Sequence, residues 1–233
     1  MRIEAYNNIF DNIKNMSLCI LIKNRVITKE MEKCGDNWFI ELDLENGEYL
    51  YKFIINNGIR LNDNNAYNYT KWKSDEVWSI LKIQDGNIIY GSNREIKLER
   101  YSLSPGIRYG YYLSNRTFDL KLDRKFSISI ELDKVTDTHS ITAVWYREDG
   151  SIFHIEEKDV CGTKEDCIYQ INVVFWIEFP TAILMSGNWT IEIYIDGKKL
   201  IKDYFIYEKK GDKRYVKFNS NIKTNTLYNR FYG

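Results

Sequence analysis

The sequence has 233 residues, of which 44% are hydrophobic, and its 33 basic and 33 acidic side chains give a formal net charge of zero. This balance disfavours the globally basic surface of a nucleic-acid or membrane-surface binder, although it does not exclude a local basic patch. Its 18 Tyr, 11 Phe and 6 Trp favour strands, because aromatic side chains suit a pleated, half-buried surface. We therefore expect a mostly β protein of one large or two small domains.

The N-terminus lacks the basic segment and apolar run of a secretory signal, so the sequence predicts a cytoplasmic protein. No apolar stretch reaches the roughly 18 residues that cross a bilayer. Cysteines in the cytoplasm are usually reduced thiols. Cys161 and Cys167 flank a predicted loop, and a local disulfide between them stays open if the protein is exported.

The first 35 residues show three kinds of pattern. Apolar side chains in residues 3–14 lie three and four apart, as in a short amphipathic helix. Residues 16–22, MSLCILI, form a continuous apolar run that predicts a buried strand. Residues 23–35 are polar and predict a connection, in which Val26, Ile27 and Met31 are candidates to anchor a short element.

The clearest β pattern lies between residues 38 and 55. Apolar and polar side chains alternate in residues 38–43 and again in 49–55, and Glu45-Asn46-Gly47 stands between them. Asn-Gly is a strong hairpin turn because both positions accept positive φ, so we expect a β-hairpin here. A second turn at Asn56-Asn57-Gly58 leads into another short strand.

A polar loop with three aromatic residues follows, and a strand over residues 77–83 ends this part of the chain. The loop spans residues 62–74 and contains Tyr67, Tyr69 and Trp72. Turn residues between about 84 and 94 predict a domain boundary. The predicted domains are residues 1–88 and 89–209, with residues 210–233 as a tail or extra edge strand.

The second half contains about seven short strand signals separated by turns, which predicts an immunoglobulin-like sandwich. Asp149-Gly150 and Asp196-Gly197 each mark a hairpin. The predicted strands include residues 126–133, 141–146, 151–155, 168–179, 189–195 and 200–207.

Short strings in each half match known domain families. In the first half they are Trp38-Phe39, Leu42-Asp43-Leu44, Gly47-Glu48-Tyr49, Tyr51-Lys52-Phe53, Asn57-Gly58 and Arg60-Leu61-Asn62-Asp63. Together these strings, over about residues 16–84, resemble the glycogen-binding domain family, the early-set β-sandwiches of AMP-activated kinase β subunits and of the N-termini of isoamylases and branching enzymes. In the second half, Gly187-Asn188-Trp189 opens a Gly-x-Trp-x-hydrophobic-x-hydrophobic strand that Asp196-Gly197-Lys198 follows. This half resembles a generic bacterial immunoglobulin-like domain.

The glycogen-binding resemblance implies an α-glucan ligand, held by two stacking Trp rings, a Lys and an Asn. Lys52 matches the family lysine. The family's second Trp falls at Ile59, its Asn falls near Ser79, and no aromatic residue lies between Lys23 and Cys34 where its first Trp is expected. A replacement carbohydrate platform is therefore predicted in the aromatic loop. The predicted carbohydrate-binding residues are Lys52, Tyr67, Asn68, Tyr69 and Trp72.

Two other interpretations of these residues stay open. The aromatic rings equally suit a cap on one end of the sandwich or a contact between domains, because large aromatic side chains are usually buried. Both sandwiches also offer strand edges to a protein partner or to a second copy. Three coplanar exposed rings would favour the glycan, and a buried loop would favour the protein partner.

No catalytic or metal-binding pattern stands out. His139 and His154 are the only histidines, and no zinc spacing accompanies them. The acidic residues of 156–166 are a candidate glycosidase pair only if a cleft holds two of them at a defined separation. They are Glu156, Glu157, Asp159, Glu165 and Asp166. The sequence thus predicts a non-enzymatic binding protein without cofactor or metal, with neither nucleic acid nor membrane as partner.

Overall fold

A computed structural model describes residues 1–6, 13–56, 58–73, 76–91, 95–105, 116–119, 123–162, 171–179 and 186–208. All regular secondary structure in these residues is β-strand. The predicted all-β class is therefore confirmed.

Ten strands in the first half form two sheets that face each other. One sheet has the order β1-β5-β4, and the other has the order β10-β9-β6-β2-β3, with β7 paired to β6 and β8 paired to β9. Apolar side chains from both sheets fill one core between them. The strands are β1 Arg2–Tyr6, β2 Met16–Ile22, β3 Arg25–Glu30, β4 Glu32–Cys34, β5 Asn37–Glu41, β6 Gly47–Ile55, β7 Ile59–Leu61, β8 Asn68–Lys71, β9 Val77–Gln84 and β10 Asn87–Ile89.

Eight strands form the second sandwich in the described part of the second half. Its sheets have the orders β11-β13-β16 and β12-β18-β17-β14-β15. Its core is rich in aromatic rings, including Phe126, Trp145 and Trp189. The strands are β11 Lys97–Pro105, β12 Thr117–Asp119, β13 Lys125–Asp133, β14 Thr138–Tyr146, β15 Ile152–Cys161, β16 Ile171–Glu178, β17 Gly187–Ile195 and β18 Lys198–Glu208.

The predicted hairpin over residues 38–55 is wrong, although both of its strands exist. β5 pairs with β1 and β4, whereas β6 pairs with β2, β7 and β9, so the two strands lie in opposite sheets. Their buried faces point into the same core from two sides, and alternation alone does not distinguish that arrangement from a hairpin. The Asn46 side chain accepts a hydrogen bond from the backbone N–H of Gly86 at 3.0 Å, which fixes the link between the sheets.

The structure also differs from two predictions for the N-terminal residues. Residues 2–6 form β1 rather than a helix, because Ile3 and Ala5 alternate into the core and pair along β5; residues 7–12 lie outside the described part. The predicted connection over residues 23–35 contains β3 and β4. A tight turn with positive φ at Lys23 and Asn24 makes β2 and β3 a hairpin, and no glycine signals it in the sequence.

Both hairpins predicted in the second half are confirmed. β14 pairs with β15 around Asp149-Gly150, and β17 pairs with β18 around Asp196-Gly197. Asp196 and Gly197 have φ of 51° and 77°, the positive values that such a two-residue turn requires. The domain bounds 1–88 and 89–209 stay a prediction. Residues 210–233, the predicted tail, lie outside the described part.

The two halves share part of the first core. Val144 and Tyr194 of the second half belong to the same buried cluster as the side chains of β2 and β6. Ile152 also approaches the loop after β6, where a Cβ on Gly58 would lie 3.3 Å from its side chain. The second half therefore packs directly against one end of the first.

Candidate functional site

Lys52 lies in a contact between the two halves. Its neighbours Tyr51 and Phe53 belong to the first core, so alternation along β6 directs Lys52 to the outer face of the sheet. The β15 residue Glu157 covers it there. Lys52 is 1% exposed, and its Nζ donates to Glu157 Oε2 at 2.7 Å and lies 3.3 Å from Glu76 Oε1. The predicted sugar-binding lysine is thus used in a buried ion pair.

Glu157 accepts hydrogen bonds on both of its carboxylate oxygens. Oε1 accepts from Asn62 Nδ2 and from Ser140 Oγ, each at 2.8 Å. Oε2 accepts from Lys52 and from the backbone N–H of Val77 at 3.3 Å. All four groups are donors, which is the environment an ionised carboxylate requires. The carboxylate therefore joins β6, β9 and the loop before β8 to the second sandwich.

Asn62 continues this network on the side of the first half. Its side chain is 1% exposed, donates to Ser140 Oγ at 2.9 Å and accepts from Ser79 Oγ at 2.9 Å. Its backbone carbonyl faces the β17–β18 turn so closely that a Cβ on Gly197 would lie 1.8 Å from the oxygen. We call the contacts among Lys52, Glu157, Asn62, Ser140 and Gly197 the joint.

His139 is buried directly behind the joint. Its Nδ1 lies 2.7 Å from Asp196 Oδ2, and its Nε2 lies 2.7 Å from the carbonyl oxygen of Thr136. Asp196 Oδ1 also accepts from the backbone N–H of Ser140 at 2.9 Å. Both ring nitrogens are therefore engaged, and His139 holds the β17–β18 turn in place rather than facing a substrate.

The aromatic loop divides into buried and partly exposed residues. Tyr69 is 4% exposed, and its hydroxyl donates to the carbonyl of Asp63 at 2.7 Å. Trp72 is half-buried and meets Trp78 edge-on, with ring centroids 5.2 Å apart. Asn68 is partly exposed, and its side-chain oxygen accepts from the backbone N–H of Tyr69. The three predicted rings do not form one coplanar exposed platform, because Tyr69 is buried.

Tyr67, the third ring of the loop, lines a different surface feature. It shares a shallow cleft with Tyr90, whose side chain is 64% exposed, and with Asn65. The buried pair Tyr51 and Asp63 lies at the floor of the cleft, with the Tyr51 hydroxyl donating to Asp63 Oδ2 at 2.7 Å. We call this feature the tyrosine cleft.

The floor of the tyrosine cleft contains a buried phenol hydrogen-bonded to a carboxyl group. Burial, and secondarily the negative charge of Asp63, raises the pKa of Tyr51 well above its ordinary value of 10.0. Asp63 Oδ1 also accepts from the backbone N–H of Asn65 at 2.9 Å. The neutral Tyr51 and its partner Asp63 therefore lie beneath the partly exposed Tyr67 and the exposed Tyr90.

The described residues contain no group of three or more side chains with metal-ligating chemistry. Of the acidic residues weighed as a glycosidase pair, Glu157 is used in the joint and Asp159 forms an ion pair with Lys71 at 3.0 Å. Glu165, Asp166 and Cys167 lie outside the described part. His154 is exposed on β15 and takes no part in the joint.

The sequence analysis did not place four residues in the joint or in the tyrosine cleft, namely Glu157, Asn62, Tyr90 and Asp63. Glu157 contacts Lys52 and Asn62 only once the two halves have met. Tyr90 and Asp63 come close to Tyr67 only once the aromatic loop has folded back. Spacing along the chain carries no signal for such contacts. The one available indication was Lys52 itself, which interrupts an otherwise apolar stretch of β6.

No family model matches the chain, and no curated protein matches it. Among solved structures, an immunoglobulin-like protein from Pseudomonas aeruginosa is 15% identical over 51% of this chain and 100% of its own, with a TM-score of 0.36. A DUF3823 family protein from Bacteroides ovatus is 10% identical over 89% of this chain and 95% of its own, with a TM-score of 0.24. An alkylpurine DNA glycosylase from Pseudomonas fluorescens is 12% identical over 51% of this chain and 32% of its own, with a TM-score of 0.34. At these TM-scores the likenesses carry no argument about activity or ligand.

Within the described residues, no helix is long and apolar enough to cross a membrane.

Proposed function

We propose that this protein is a non-catalytic binding module whose first sandwich takes a carbohydrate in the tyrosine cleft. The observation that carries the proposal is the pairing of Tyr67 and Tyr90 around the floor formed by Tyr51 and Asp63. Aromatic rings offer flat apolar faces with a polar hydroxyl at one end. A binding site of this kind combines such faces with a few fixed polar groups.

The polar groups of the cleft suit a ligand rich in hydroxyls. Asp63 accepts hydrogen bonds from the Tyr51 hydroxyl on Oδ2 and from the backbone N–H of Asn65 on Oδ1, so its carboxyl group is held in place at the floor of the cleft. The carboxamide of Asn65 lines the same cleft and offers both donor and acceptor atoms. An α-glucan is the first ligand to test, since the glycogen-binding resemblance implies it.

This proposal moves the predicted site along the loop. Lys52 and Tyr69 support the fold from buried positions, and Trp72 packs against Trp78. Of the predicted residues Tyr67 alone lines the cleft, and Tyr90 replaces Trp72 as the second ring. A ligand bound there contacts β9, β10 and the loop before β8.

Affinity electrophoresis tests the proposal. The purified full chain is run in native gels with and without glycogen or soluble starch, beside Tyr67→Ala, Tyr90→Ala and Trp72→Ala. We expect the polysaccharide to retard the wild type and Trp72→Ala but not the two tyrosine variants. Mobility that the polysaccharide leaves unchanged in the wild type contradicts glucan binding. Retardation that only Trp72→Ala abolishes places the site in the aromatic loop instead.

A second candidate function is a structural or interaction protein that pairs through its strand edges. The observation that favours it is the exposed edge strand β3, whose side chains are almost all exposed.

A further inference from the structure

β3 is an open edge of the larger sheet of the first half. Among the described strands it pairs only with β2. Five of its six residues are exposed, and Val26 is 47% exposed. An edge strand of this kind presents unpaired backbone N–H and C=O groups to a further strand.

The hydrogen-bond pattern shows which residues face outward. The backbone N–H of Met31 donates to the carbonyl of Met16 at 2.9 Å, in continuation of the β2–β3 ladder. Residues of an antiparallel strand bond alternately to the two sides. The peptide groups of Arg25, Ile27 and Lys29 therefore point toward β2. Those of Val26, Thr28 and Glu30 point away from the sheet.

This alternation restricts how β3 can pair with another copy of itself. Two outward-facing residues must stand opposite each other to exchange their hydrogen bonds. One permitted antiparallel register places Val26 opposite Thr28, and it brings Arg25 opposite Lys29. Like charges directly opposite each other are destabilising.

The next permitted register removes that conflict. Thr28 stands opposite Thr28 on the two-fold axis, Val26 stands opposite Glu30, and no two like charges meet. Threonine pairs across strands stabilise a sheet through their hydroxyl and methyl groups. In this register the edge strand therefore pairs with itself without like charges opposite each other.

We propose that a second copy of this chain pairs with β3 in antiparallel orientation, about a two-fold axis through Thr28. The two larger sheets then join into one sheet across the dimer. The contact is isologous, because the same residues contribute from both copies. This inference goes beyond carbohydrate binding, since β3 and the tyrosine cleft lie at opposite edges of that sheet.

The test places charged side chains at the two-fold axis. Sedimentation velocity then measures the oligomeric state of the full chain over a range of concentrations. In Thr28→Lys two ammonium groups meet on the axis, and in Thr28→Glu two carboxylates meet there. We expect the wild type to sediment as a dimer and each variant alone to sediment as a monomer. An equimolar mixture of the two variants restores the dimer, because opposite charges then face each other.

Gln84→Lys is the matched control, since Gln84 is exposed at the far end of β9 and takes no part in the register. It is expected to remain dimeric, and circular dichroism checks that all variants keep the strand content of the wild type. The proposal is overturned by a wild type that stays monomeric at every concentration. It is equally overturned by Thr28→Lys remaining dimeric alone, or by a mixture that stays monomeric.

Discussion

Lys52 Nζ and Glu157 Oε2 lie 2.7 Å apart, although the two residues are separated by 105 positions in the sequence. Their side chains are 2% and 14% exposed. Two buried opposite charges stabilise a fold only when each keeps its partner and its hydrogen bonds. This pair therefore makes the stability of each sandwich depend on the presence of the other.

Replacing Lys52 by Met is expected to lower the free energy of unfolding by about 3–5 kcal/mol, because Glu157 then keeps a buried charge without its cation. Urea unfolding followed by tryptophan fluorescence measures the change. Lys71→Met is the matched control, since Lys71 pairs with Asp159 of the same strand β15 but is 49% exposed. An exposed pair contributes only about 0–1 kcal/mol. Equal losses in the two variants would contradict a buried joint.

Gly197→Ala is expected to destabilise the protein more than Gly86→Ala does. Both glycines have positive φ, 77° and 73°, so both substitutions meet the same backbone penalty of about 1–2 kcal/mol. Only at Gly197 does the new Cβ also collide with the backbone of the first half, 1.8 Å from the Asn62 carbonyl oxygen; nothing lies within 4 Å at Gly86. The difference in melting temperature between the two variants measures the effect of the collision alone. Equal melting temperatures would exclude a close contact between Gly197 and Asn62.

Substitution of the two histidines is expected to change the free energy of unfolding by different amounts. His139→Ala removes both hydrogen bonds of a buried ring and leaves Asp196 short of one partner, which we expect to cost about 2–4 kcal/mol. His154→Ala changes an exposed position on β15 and is expected to stay within about 0.5 kcal/mol of the wild type. Urea unfolding of both variants at neutral pH measures the difference. A neutral effect of His139→Ala would show that the β17–β18 turn is held by other contacts.

Alkaline pH is expected to unfold the protein through its buried tyrosines. Burial, then the charge of Asp123, raises the pKa of Tyr207 to about 12, and burial also raises the pKa of Tyr51 and Tyr194. A phenol whose pKa is raised by folding favours the folded state fully below the unfolded value near 10. That contribution is lost as the pH rises through the folded value, between pH 10 and about 12 for Tyr207.

Tyrosinate absorbance at 295 nm, recorded together with circular dichroism, measures this transition. The exposed members of the 18 tyrosines should ionise first, and the buried ones should ionise only as the strand signal is lost. Ionisation of all 18 tyrosines before any loss of strand signal would contradict the buried phenols.

The sequence predicted strands better than it predicted their partners. β13 and β17 follow from alternation, and Asp149-Gly150 and Asp196-Gly197 follow from turn chemistry, because these signals depend on neighbouring residues alone. The β5–β6 link was misjudged since both a hairpin and a crossing between sheets use the same alternation. Whether a strand pairs with its neighbour or crosses to the opposite sheet depends on β2 and β9, which lie 20 or more residues away.

The candidate site was harder still to predict from the sequence, because its contacts join residues that lie far apart in the chain. Tyr67 was predicted from its place in an aromatic loop, and it does line a cleft. Lys52 was assigned to a ligand because it matches the lysine of the glycogen-binding family. Its burial depends on Glu157, and no local pattern connects a strand lysine with a carboxylate in another sandwich.

The separation of Lys52 from Glu157 also has a consequence during synthesis. At 5–20 residues per second, the ribosome needs roughly 5–20 s to add the 105 residues between them. Once residues 77–84 have been added, β6 can lie between β2 and β9, while the ammonium group of Lys52 stays in water on the outer face of the sheet until Glu157 follows. The nascent first sandwich therefore remains hydrated at the surface that it later buries, and the late arrival of one carboxylate converts that wet surface into the joint.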